Sequence, residues 1–300
     1  MGNLKTFSDY ALNEPEQSWL IDNLFSAGGT SLLVGDPKSG KSQLVRHLIY
    51  SCLYGTDFLN CSVNEKRSVL YLALEETPTE LKKYLLSIGV DAAAQNLLIG
   101  DRTWSEGNNM KELSDDIAKH NPSLCVIDTF VAFSDLTDLN DYAKVYKPLQ
   151  EIAGLARKQN CHILIVHHKN KSEATGAKGI MGSTAFFGAV DTCLLLSGEN
   201  NQKVLAVQPR YTEKHDIKFN MTPAEITDVE QNKKGVSCKE ALLEKISKAD
   251  KGFNFRQFAG YSKQTAQDAK KSLLDEGRIF QEGGKSGDPT KLFLTSISPS

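Results

Sequence analysis

Eight consecutive residues, Gly35-Asp36-Pro37-Lys38-Ser39-Gly40-Lys41-Ser42, fit the pattern GxxxxGK[ST] in full. Such a loop turns its backbone N–H groups inward as an anion nest, and a following helix N-terminus adds positive potential. The glycines permit the backbone angles and the close approach of phosphate. Lys41 is expected to neutralise the β- and γ-phosphates of ATP, and the Ser42 hydroxyl to ligate Mg²⁺. The nucleotide contacts are expected from Gly35, Asp36, Pro37, Lys38, Ser39, Gly40, Lys41, Ser42 and Gln43.

Two further segments carry carboxylates at strand ends. Leu124-Cys125-Val126-Ile127-Asp128 is an apolar run closed by a single Asp, which suits delivery of Asp128 to the same Mg²⁺. Tyr71-Leu72-Ala73-Leu74-Glu75-Glu76 ends in a pair. A base that orients water must stand beside the γ-phosphate, and the end of a neighbouring strand supplies that place. Glu75 is expected in that role, with Glu76 capping the helix from Pro78 or standing behind the metal. His167-His168-Lys169 follows another apolar run, where a polar side chain could sense the γ-phosphate. Lys169, Lys171 and Lys178 flank Gly176 and Gly179 in a polar stretch, which is either a solvated loop or a nucleic-acid contact.

These residues need a frame. Runs at Thr30–Val34, Ser68–Leu74, Leu97–Ile99, Leu124–Asp128, His162–Val166 and Val190–Leu196 are rich in β-branched and apolar residues. Several are apolar on successive positions, as in strands covered on both faces. Helical patterns fit between them, including Ser42–Leu53 and Pro148–Gln159, the latter with Pro148 at its first position. The expected core is an α/β three-layer sandwich on a mainly parallel sheet, with Val204–Val207 and Ile217–Asn220 as an edge hairpin. Glu230–Gly235 is polar and reads as a linker. Helices are then expected at Lys239–Ala249, Phe255–Ala259 and Lys263–Glu276, followed by strands Arg278–Gln281 and Leu292–Leu294 around a Gly-rich tip. That is the order of a winged helix. The expected division is 1–229 core, 230–238 linker and 239–300 winged-helix domain.

The chain of 300 residues is 40% hydrophobic and 24% charged with net charge −2, so it is no polycation. Residues 239–300 hold 11 Lys+Arg against 8 Asp+Glu, a local excess of +3. The six cysteines, Cys52, Cys61, Cys125, Cys161, Cys193 and Cys238, form no CxxC pair and read as buried reduced thiols. Met1–Tyr10 lacks the basic and apolar regions of a signal peptide, and no apolar run approaches a membrane span. A cytoplasmic protein that does not enter the membrane is expected.

Together, GDPKSGKS (35–42), VLYLALEE (69–76), LCVIDT (124–129), VHHKNK (166–171) and GSTAFFGAVDTCLLL (182–196) resemble the RecA-like P-loop ATPases. Within them the chain looks most like RepA-type hexameric replicative helicases of plasmids and phages, over residues 18–222. The resemblance implies that Glu75 activates water and that His168, or its neighbour His167, senses the γ-phosphate. It implies that Arg210, with Lys214 as second candidate, reaches the ATP of an adjacent subunit as an arginine finger. A homo-oligomer, a hexamer by this resemblance, would hold single-stranded DNA in its channel. The added winged helix departs from the minimal helicase. It would either contact duplex DNA, through Lys263, Gln264, Thr265 and Gln267 with Lys285 on the wing, or bind protein. The alternative to a motor is an ATP-switched DNA-binding protein, such as a helicase loader, recombination mediator or initiator.

Overall fold

Runs of apolar residues on successive positions become fully buried strands. The computed structural model describes residues 6–8, 18–63, 65–105, 107–134, 136, 141–168, 183–210, 212–232, 238–247, 249, 253–254, 270–271, 273–274, 278–282 and 291–294. After a small pair, β1 (Trp19–Ile21) and β2 (Phe25–Ser26), come β3 (Thr30–Gly35), β4 (Val69–Ala73), β5 (Leu97–Gly100), β6 (Leu124–Asp128), β7 (His162–His168), β8 (Thr192–Ser197), β9 (Gln202–Pro209), β10 (His215–Met221) and β11 (Ile226–Asn232). All but the first pair join one nine-stranded sheet in the order β11-β10-β9-β8-β3-β7-β6-β4-β5. From β8 to β5 every pairing is parallel, and β9 joins β8 antiparallel. Every residue of β3, β4 and β6 is buried, which is why no polar alternation marks them in the sequence.

Helices Lys41–Tyr54, Pro78–Ser87, Asn109–His120, Phe130–Ser134, Tyr142–Gln159 and Ser183–Ala189 connect these strands. One apolar layer joins Leu32, Val34, Leu72 and Ile127 of the strands to Phe130, Leu149, Ile152 and Phe186 of the helices. The Tyr142–Gln159 helix corrects one expectation. It starts six residues before Pro148, where Asp141 accepts from the N–H groups of Ala143 and Lys144. Its buried stripe, Val145, Leu149, Ile152 and Ala156, runs past the proline at helical spacing. The Asn109–His120 helix was not anticipated. Asn108 caps it, Leu113 and Ile117 bury one face, and Asn121 ends it in the left-handed region.

The chain divides into two compact units, residues 1–212 with 218–229, and residues 213–217 with 230–300. β11 runs on to Asn232, into the stretch expected as linker. In the second unit a helix, Cys238–Ser247, is followed by β12 (Phe253–Asn254), β13 (Ile279–Glu282) and β14 (Lys291–Leu294). These pair antiparallel in the order β12-β14-β13. Leu242, Ile246, Leu273, Ile279 and Leu292 form its core. The helix expected at Phe255–Ala259, most of Lys263–Glu276, the residues Lys263, Gln264, Thr265, Gln267 and Lys285, and the lysine-bearing stretch 169–182 lie outside the described residues. Among the described residues no helix is long and apolar enough to cross a membrane. Cys52, Cys61, Cys125, Cys161 and Cys193 are buried free thiols. Burial pushes Cys52, Cys161 and Cys193 up to about 12.

Candidate nucleotide-binding site

Parallel pairing brings the strand ends into line. Gly35 of β3 is opposite His168 of β7, and Ala73 of β4 is opposite Asp128 of β6. The loop after β3 therefore faces the residues after β4, β6 and β7. Gly40 stands at φ 100°, and a Cβ there would come 2.7 Å from Met221 Cε. Only glycine fits without strain. Lys38 also takes a positive φ, 63°. The helix begins at Lys41 and buries Leu44, Val45, Leu48, Ile49 and Cys52.

Lys41 Nζ donates to the carbonyls of Gly35 at 3.0 Å and Asp36 at 2.9 Å. Its burial lowers its pKa, opposed by Asp128, Asp36 and Glu75. Asp128 is 4% exposed. Desolvation raises its pKa, while hydrogen bonds from Ser42 and from Tyr71 favour the ionised form. Tyr71 Oη donates to Asp128 Oδ2 at 3.2 Å. Ser42 and Asp128, expected to share a metal, thus touch. Ser39 Oγ and Gln43 Nε2 are buried with no hydrogen-bond partner among the described residues.

The paired glutamates part ways. Thr129 Oγ1 donates to Glu75 Oε1 at 2.5 Å, and His168 Nε2 lies 3.7 Å from Glu75 Oε2. His168, then Thr129, hold the Glu75 carboxyl below its ordinary range. The Thr129 bond is the shorter and firmer of the two contacts. Glu76 pairs with Arg46 of the loop's helix, and that guanidinium lies 4.3 Å over the Tyr84 ring. Burial raises the Glu76 carboxyl despite Arg46. Glu76 does not cap the next helix as expected. Thr77 does, in a reciprocal capping box with Glu80. Together Lys38, Lys41, Ser42, Gln43, Glu75, Asp128 and His168 line a cavity of about 410 Å³.

The two histidines also separate. His168 faces Glu75, whereas His167 is 1% exposed and stacks on Phe186 at 4.4 Å. Arg210 is not in this cavity. Its Nη2 donates to the Gly188 carbonyl at 2.7 Å. Its neighbour Pro209 pairs with Thr192, at the start of β8, whereas Gly35 lies beside Leu196 near the end of β8. The intervening strand is roughly 13 Å long, so Arg210 and the phosphate loop stand at opposite strand ends of one sheet. Lys214 is exposed. No role was expected for Arg46, Tyr71, Tyr84, Arg102 or Thr129. Of these only Thr129, next to Asp128, had a positional cue.

Residues 3–174 match the family model described as AAA domain. The chain belongs to that AAA domain family. This AAA chain is also similar to a KaiC-like protein of the hyperthermophilic archaeon Pyrococcus horikoshii. The identity is 18% and the TM-score 0.52, over 70% of this chain and 93% of that one. At that identity the likeness concerns the fold, a RecA-like α/β core. The AAA protein is thus a P-loop ATPase by family and by the convergence of its loop, Ser42 and Asp128.

Proposed function

We propose that the protein is an ATP-hydrolysing, ring-forming DNA motor, a RepA-like replicative DNA helicase of a plasmid or phage. The observation that carries the ATPase reading is the meeting of Lys41, Ser42, Asp128 and an oriented Glu75 in one cavity. Lys41, now on two loop carbonyls, would exchange them for phosphate oxygens. Ser42 and Asp128 suit Mg²⁺, an oxygen-seeking cation that would neutralise charge on the β- and γ-phosphates. Glu75, kept ionised, takes the proton from the attacking water, and His168 stands where a change in the γ-phosphate would be felt. Arg210 cannot reach the phosphates of its own chain, so its proposed finger role requires a second copy arranged head to tail. Single-stranded DNA in the channel of a hexamer, contacted by the lysine-bearing stretch, is the proposed track.

A second reading is an ATP-switched DNA-binding protein, a loader, mediator or initiator, that hydrolyses slowly and does not translocate. The small C-terminal unit with its +3 excess favours it, as a winged helix reading duplex DNA. Strand displacement on a forked substrate separates the two. The motor predicts ATP-driven unwinding that Lys41→Ala abolishes, with turnover down about 100-fold or more. ATP turnover without unwinding, coupled to a duplex site read by residues 239–300, decides for the switch.

A further inference from the structure

The ladders that fix β4 stop before Glu75. β4 pairs with β5 as far as Leu72↔Gly100 and with β6 as far as Ala73↔Asp128. One more bond follows, from the Leu74 N–H to the Asp128 carbonyl at 2.8 Å. Beyond it, the Glu75 carbonyl accepts a hydrogen bond from Arg102 Nη2. Arg102 comes from the turn after β5, and that turn is well held. Asp101 Oδ1 accepts from the Thr103 N–H at 2.9 Å and from its hydroxyl at 2.7 Å. The Trp104 N–H donates to the Asp101 carbonyl at 2.9 Å, and Trp104 Nε1 to Asp116 Oδ2 at 2.8 Å. The indole folds back over Gly100, where a Cβ would meet it at 2.8 Å. Arg102 is thus an exposed side chain on a fixed base.

We propose that Arg102 is a positioning residue for ATP hydrolysis. Its guanidinium fixes the Glu75 main chain where the sheet no longer does, and so fixes where the Glu75 carboxylate aims. The inference rests on the reading of Glu75 as the base. A bond from a guanidinium to a carbonyl is charge-assisted. Losing it frees the main chain and leaves only the Thr129 and His168 contacts on the carboxylate. A misplacement of about 1 Å at such a group costs roughly 100-fold in rate. Arg102 also borders a second cavity of about 510 Å³, with Leu74, Trp104, Asn109 and Ala132 on its walls. A small cation could enter there if the side chain were removed.

The test compares Arg102→Ala, Arg102→Lys, Glu75→Gln and the Arg102→Ala/Glu75→Gln pair in the full chain. The readouts are ATP turnover, affinity for a fluorescent ATP analogue and Tm. Arg102→Ala is expected to lower kcat by about 10- to 100-fold, leaving nucleotide affinity and Tm in place. Millimolar guanidinium should restore part of the loss, Arg102→Lys should keep part of the rate, and Arg102→Ala should add nothing to Glu75→Gln. An unchanged kcat overturns the proposal. So does a fall in kcat matched by equal losses in affinity and Tm, without guanidinium rescue. Wild-type turnover by Glu75→Gln removes the base assignment itself, an outcome distinct from either.

Discussion

Glu75 and Glu76 carry the same carboxyl group one residue apart, and only their neighbours distinguish them. Glu75 receives a hydroxyl and faces an imidazole, whereas Glu76 is half-buried against Arg46. Glu75 was the expected base and Glu76 the expected helix cap or group behind the metal. Their different partners, Thr129 and His168 against Arg46, lie far along the chain and were not legible in the sequence. Likewise His167 and His168 are adjacent, but successive residues of a strand face opposite sides, so one enters the cavity and the other the core. Thr129→Val tests the residue scale. It removes a bond that favours ionised Glu75, so the Glu75 pKa should rise. The base is active above its pKa, so the acid limb of the kcat–pH profile should move to higher pH. A limb that stays put would mean that Thr129 does not tune the base.

Elements were legible where burial is continuous. β3, β4 and β6 are buried throughout and mostly apolar, and the Gly-rich loop announces the helix after it. The candidate phosphate loop was placed by that combination. What escaped is explained by weaker signals. β11 (ITDVEQN) is largely polar, and the Asn109–His120 helix buries only Leu113 and Ile117. Arg102 sits in a turn with no motif at all. The Tyr142–Gln159 helix carries a local conflict with its fold, because Pro148 removes the donor to the Lys144 carbonyl in mid-helix. Pro148→Ala restores that donor. The change should raise stability by about 1–2 kcal/mol, the helix gain reduced by the extra freedom of the unfolded chain. A higher urea midpoint at unchanged m-value would show it, and an unchanged or lower midpoint would mean that the proline is itself needed at this position.

At the scale of the whole molecule, the two units differ in charge sign while the chain stays near neutral, so salt-sensitive DNA contacts are expected from patches and not from net charge. Assembly is tested by mixing two inactive variants. Arg210→Ala should lose about a thousandfold in turnover if it serves as a finger, and Lys41→Ala should be inactive for lack of phosphate contacts. Mixed subunits should regain a fraction of the activity, since some interfaces then join an intact loop to an intact arginine. No recovery at any ratio would sink the trans role. The placement of Arg210 and the phosphate loop at opposite strand ends has a further consequence under that role. An open row of subunits would always end in one whose nucleotide no arginine completes, and would begin with one whose arginine completes nothing. Short rows would waste the largest share of their sites. Closing the row into a circle would remove both idle ends in a single step, so specific activity should climb with row length and reach its full value only on closure.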